Sequence, residues 1–177
     1  MEKLSKYDIP FVGLKNGKHI FTYEIGSDFF DHFEMSPIEE GDVYVHLTFD
    51  KRDSFFILSF FVDGSVMAEC DRCMELFELP INGFYNMYVK FDEEARNEDE
   101  EEADVMFISK SDVVINVANL IYDYIHLSIP MQKTCDLSVM GKKRCNQEII
   151  KYLNSNTPTE EEQNDPRWDL LKKLNKN

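Results

Sequence analysis

The stretch DVYVHLTFDKRDSFFILSFFVDGSVMAEC, residues 42–70, decides how the chain folds. Val43, Val45, Leu47 and Phe49 alternate with Tyr44, His46 and Thr48, the period of a strand that buries one face. DKRD (50–53) reads as a polar turn, and SFFILSFFV after it is apolar almost throughout, as a central strand is. The Asp-Gly pair at 63–64 predicts a tight hairpin, because such turns need positive φ. SVMAEC then returns with Val66, Ala68 and Cys70 on one face.

Outward from this stretch the pattern continues. After DRC (71–73) the chain is expected to stay extended, to break at Pro80 and to resume as FYNMYVKFD, where Tyr85, Met87, Val89 and Phe91 share a face. HIFTYEIG (19–26) adds a strand upstream. SDFFDHFEM (27–35) predicts a short helix capped by Ser27 or Asp28, with Phe29, Phe30 and Phe33 on its apolar side. In SDVVINVANLIYDYIHLSIP, Val117, Leu120, Ile121, Tyr124 and Ile125 recur at helical spacing. Ser111 or Asp112 would cap that helix and Pro130 end it. The fold class is therefore α+β: an antiparallel β meander of about five strands packed by one main amphipathic helix, with a short C-terminal helix. One domain is expected over residues 1–153, including an acidic loop at 92–104. A polar tail over 154–177 would end in that short helix.

The tail helix starts at Asp165-Pro166, a side-chain cap followed by a residue whose missing N–H costs nothing there. Trp168, Leu171 and Leu174 line one side, with Lys172, Lys173 and Lys176 elsewhere. So short a helix is marginal alone in water, so it must dock on its own domain or on a partner.

Charge narrows the partner. The 177-residue chain carries a formal net charge of −15. Residues 92–104 hold nine acids and one Arg, and 160–165 hold four acids; without these two runs the chain is only −3. Acidic segments suit a basic partner. Binding to naked nucleic acid would need clustered cations. The densest basic cluster, Lys142, Lys143 and Arg144, is small. A rival reading joins it with Lys15 and Lys18 into a local patch that touches RNA directly. The first twenty residues lack the apolar core of a signal peptide, and the longest apolar run (55–62) is too short to span a bilayer. A cytoplasmic protein without membrane contact is expected.

Four cysteines remain: Cys70, Cys73, Cys135 and Cys145. A structural zinc site takes four such ligands in a tetrahedron. The spacing of Cys70 and Cys73 lets both sulfurs face one ion. Nine residues separate Cys135 from Cys145, so that pair needs its own loop to close, and His126 offers a substitute ligand. A redox pair needs a lowered thiol pKa, and Glu69, Asp71 and Glu75 work against it with only Arg72 opposing. A third reading makes the cysteines small core residues. The spacing leaves all three open. His19, His32, His46 and His126 are scattered and the seven glycines form no phosphate loop, so no catalytic constellation stands out.

The order of these features resembles the YceD family, the large ribosomal RNA subunit accumulation proteins of bacteria and plastids. CDRCMELFE (70–78), the helix closing on LSIP (127–130) and the terminal DPRWDLLKKL (165–174) carry the resemblance, which runs from about His19 to Leu174. It implies a non-catalytic ribosome-biogenesis factor that supports accumulation or processing of large-subunit (23S) ribosomal RNA. Cys70 and Cys73 match the family's first cysteine pair, and Asp123 falls where an acidic residue commonly sits. The family's second pair lies closer together than Cys135 and Cys145 do here. With the charge taken into account, the expected partner is a basic ribosomal protein or a large-subunit precursor rather than free RNA. The alternative is a zinc-binding or thiol-redox interaction protein built on the cysteines.

Overall fold

Alternation of apolar and polar residues gives the chain its longest elements. In the computed structural model, which describes residues 2–34, 36–92, 104–138 and 145–155, residues 42–70 form two long strands. These are β3 (Gly41–Lys51) and β4 (Phe55–Glu69). They lie between β2 (Gly17–Ile25) and β5 (Leu76–Asp92), all paired antiparallel. A fifth strand, β6 (Val105–Ser109), completes the order β2-β3-β4-β5-β6 and runs parallel to β5. That parallel return departs from an all-antiparallel meander. A short run of mixed residues after an acidic segment carries too little alternation to show it. A separate two-stranded ribbon joins β1 (Asp8–Ile9) to β7 (Ile115–Asn116).

Two expectations fail inside the sheet. Asp63 and Gly64 do not turn the chain; β4 runs straight through them, with Val43 opposite Gly64. Gly64 has φ of 151°, which a side chain rarely adopts. A Cβ there would lie 2.8 Å from Val43 Cα and closer still to the Asp42 carbonyl oxygen. Glycine is needed for close approach of two strands, and the dipeptide alone cannot separate that from a turn. Likewise, Pro80 sits within β5, opposite Ser65. Pairing with β6 starts only at Tyr88, so β5 is an edge strand among the described residues at Pro80, and the missing N–H leaves no ladder bond unmade.

The inner face of the sheet carries the core. Val45, Leu47, Phe49, Phe56, Leu58 and Phe60 are fully buried or nearly so. Against them packs α2 (Ala118–Leu127), whose Val117, Leu120, Ile121, Tyr124 and Ile125 stripe is buried as its spacing predicts. The capping differs from expectation. Asp112 Oδ2 accepts the Ser109 N–H at 3.0 Å and closes the turn after β6, while Asn116 Oδ1 accepts the Ala118 N–H at 2.9 Å at the helix start. The short α1 (Ser27–Phe30) does form; Gly26 rather than Ser27 or Asp28 precedes it, and Phe29 and Phe30 are buried. At the far end, α3 (Gln147–Ser155) runs two residues beyond the expected boundary at 153. The acidic run over 93–103, Lys142, Lys143, Arg144 and the tail with Trp168, Leu171, Lys172, Lys173 and Leu174 lie outside the described residues.

Replacing Gly64 with Ala should lower the unfolding free energy by about 2 kcal/mol, through positive φ and collision with the β3 backbone. Gly13→Ala, where nothing lies within 4 Å, should stay within about 0.5 kcal/mol of the parent. Urea unfolding of the two variants beside the parent measures both.

Candidate metal centre

The β4–β5 hairpin is the origin of the site. β4 ends at Glu69 and β5 begins at Leu76, so the six residues between form the reversal that holds Cys70 and Cys73. Its backbone is closed by the Cys70 N–H donating to the Glu75 carbonyl at 3.0 Å and the Met74 N–H donating to the Cys70 carbonyl at 2.9 Å. Met74 takes the left-handed conformation, φ 60°, that lets the chain turn back. For a non-glycine residue this costs roughly 1–2 kcal/mol, so the rest of the site has to hold it in place.

The second pair comes from the chain beyond α2. Asp71 is the hinge: its N–H donates to the Lys133 carbonyl at 2.8 Å, and its carboxylate accepts the Lys133 N–H at 2.6 Å. This two-way clasp brings the one-turn helix Cys135–Leu137 onto the hairpin. Arg72 pairs with Asp136 at the surface. Asn146 Nδ2 donates to Glu75 Oε1 at 3.1 Å and fixes the chain just after Cys145. The acids around the cysteine pair therefore serve as braces between segments.

The result is a buried cluster of four sulfurs. All four Sγ atoms lie within 4.8 Å of one another, with Cys70–Cys145 at 3.7 Å and Cys73–Cys135 at 3.6 Å. Every cysteine is at most 7% exposed. A disulfide needs roughly 2.0 Å, and all four are free thiols. Four thiolates around a zinc ion at Zn–S of about 2.3 Å would have S···S edges of about 3.8 Å, so the spacing fits a tetrahedral metal site. Despite the nine intervening residues, Cys145 joins the cluster. His126 does not: its Nδ1–H donates to the Tyr122 carbonyl at 2.8 Å and its ring packs on Tyr122.

The electrostatics point the same way. Burial raises the Cys70 thiol, but the backbone N–H groups of Arg72, Cys73 and Cys135 and the Cys135 thiol direct hydrogen bonds at its sulfur and bring the pKa down to about 6. Burial and bonds to their sulfur neighbours push Cys135 and Cys145 up. One thiolate is thus favoured and a second beside it is resisted, as like charges in a dry site must be. A divalent cation removes that resistance for all four. Buried thiols of this kind are poorly placed for exchange with an external disulfide, which needs an accessible thiolate.

Among the basic residues considered for RNA, Lys18 lies in the cross-strand row Lys18–Asp50–Ile57–Tyr88. Ile57 is roughly 40 Å along β4 from the hairpin end, at about 3.3 Å per residue. The fold thus sets Lys18 apart from the reversal that holds Cys70 and Cys73.

If the four sulfurs act as a unit, their substitutions will not add. Cys70→Ser and Cys145→Ser should each lower the thermal midpoint, and the double variant should cost at least about 1 kcal/mol less than the two single losses combined. Calorimetry on the three variants reads this; additive losses would mean independent core residues.

The sequence matches the family model described as large ribosomal RNA subunit accumulation protein YceD over residues 58–175. That region starts within β4 and takes in the hairpin, all four cysteines and α2. No curated protein and no solved structure matches the chain. Two-thirds of the chain lies within the family's pattern, so the protein belongs to the YceD family of large ribosomal RNA subunit accumulation proteins.

Proposed function

We propose that the chain is a non-catalytic ribosome-biogenesis factor that supports large-subunit (23S) ribosomal RNA by binding a basic ribosomal protein or an assembly intermediate. Family membership is the observation that carries this reading. The choice of a protein partner over bare RNA follows from charge. At −15 overall, with seven acids and one Arg between 93 and 103, the chain repels phosphate and attracts Lys- and Arg-rich surfaces.

Within this reading the four cysteines hold a structural zinc ion. A closed set of four thiolates leaves no open position for substrate, so such an ion contributes fold stability rather than chemistry. It ties the β4–β5 hairpin to the segment leaving α2, and offsets the cost of the Met74 turn. The thiol-redox alternative is weaker because all four thiols are buried.

Two measurements test the reading. Replacing the acids of 93–103 with their amides should weaken co-sedimentation with large-subunit precursors and flatten its dependence on salt. Unchanged co-sedimentation across a salt series would overturn the electrostatic part. For the metal, the chain purified from cells should carry stoichiometric zinc. A strong chelator should lower its thermal midpoint by several degrees and added zinc should restore it. Metal-free protein whose midpoint ignores zinc would remove the ion from the account.

A further inference from the structure

The groove between α2 and the β5 edge has the composition of a cation site. It encloses about 570 Å³. Phe84, Tyr88, Tyr124 and Leu127 supply apolar and aromatic walls, and among the described residues Asp104 and Asp123 supply the only charges lining it. Gly83 sets how closely α2 approaches: a Cβ there would lie 2.6 Å from Ser128 Oγ. The Tyr85 hydroxyl donates to Ser128 Oγ at 3.1 Å, and that hydroxyl in turn donates to the Tyr124 carbonyl at 2.7 Å. Tyr85 and Tyr124 stack at 4.6 Å with nearly parallel rings. The wall is therefore rigid.

One group in that wall is unsatisfied. Tyr124 is 7% exposed, and its hydroxyl has no hydrogen-bond partner among the described residues. A buried hydroxyl without a partner costs roughly 1–3 kcal/mol, a deficit that a bound donor or acceptor can remove. Burial first, and then the charges of Asp104 and Asp123, push its pKa up to about 12, so both carboxylates act on this one hydroxyl. Burial raises the Asp123 carboxyl pKa, with His126 pulling the other way. The Asp104 carbonyl accepts the Tyr88 N–H at 2.8 Å, which fixes Asp104 beside β5.

We propose that this groove takes the cationic side chain of a Lys- or Arg-bearing segment of a protein partner, met by the carboxylates of Asp104 and Asp123 over the ring of Tyr88. The proposal rests on the reading of a basic partner and gives that partner its docking point. Aromatic faces favour a cation within about 6 Å, and the net charge of −15 draws a basic segment toward the chain. A phosphate backbone meets two carboxylates and is repelled.

The test uses the full chain and a fluorescein-labelled Arg-rich decapeptide. Its counterpart carries citrulline at each Arg, which keeps size and hydrogen bonding but removes charge. The parent should bind the Arg peptide and not the citrulline one. Asp104→Asn with Asp123→Asn should weaken binding by at least about tenfold while leaving the urea midpoint near that of the parent. Tyr124→Phe should weaken binding without lowering that midpoint. Equal affinity in the double Asn variant, or tighter binding of an oligouridine probe than of the Arg peptide, overturns the groove. Co-sedimentation separates the two failures. If the double Asn variant still joins large-subunit precursors while neutralising 93–103 abolishes it, the groove is wrong and the basic-partner reading stands. If the parent joins no precursor yet discriminates the two peptides, the groove stands and that reading falls.

Discussion

The antiparallel pairing of β4 with β5, in register from Phe55 opposite Lys90 to Glu69 opposite Leu76, is the constraint on which everything else depends. It makes the center of the sheet and sets the inner face that α2 covers. It also fixes where the chain reverses, and so where two cysteines meet the segment returning from α2. A one-residue slip would turn Phe56, Leu58 and Phe60 to solvent and aim Cys70 away from the other sulfurs. Gly64 allows this hairpin to stay continuous, because only a residue without a side chain lets β3 come so close.

The cysteine cluster is the second fastening, and its position says what it fastens. Segment 129–138 has little regular structure beyond the single turn Cys135–Leu137. It lies on the hairpin through the Asp71–Lys133 clasp, the surface pair of Arg72 with Asp136, and the sulfurs. Exposed ion pairs contribute little, typically under about 1 kcal/mol. The sulfurs are thus the main hold, and a buried set of thiols is a stable arrangement only when protons or a cation neutralise it. Chemistry at the cluster and order in the chain after α2 are one property.

Much of this was legible from residue order alone. Period-two alternation located β3 and the second half of β4, a nearly unbroken apolar run located its first half, and period-3.6 spacing picked out the buried stripe of α2 residue by residue. The errors came from residues with two physical uses. Gly64 and Pro80 are turn-formers by habit, but one permits a close strand approach and the other occupies a free edge. Strand β6 was missed because parallel pairing leaves no hairpin signal nearby. Convergence of Cys145 on Cys70 could not be read from spacing either, since the chain beside Cys145 is held by Asn146 on Glu75, far apart in the sequence. The groove was equally hidden: Asp104 ends an acidic run and Asp123 sits on a helix, and only the β5 edge brings them to one hydroxyl.

The sheet also explains how one acidic chain can keep a structural site and a binding site from interfering. The cysteines occupy the reversal at one end of β5, and the groove lies along that strand from Phe84 onward, roughly 26 Å away at about 3.3 Å per residue from Leu76. α2 links them. Its last residues pack on β5 through Ser128, Tyr85 and Gly83, and the chain then runs directly to Lys133 and Cys135. A helix of ten residues is too short to hold its place without tertiary packing. Anchoring its exit at the sulfurs therefore holds Asp123 and Tyr124 in place beside β5. Asp71, Glu75 and Asp136 are the polar braces of that anchor.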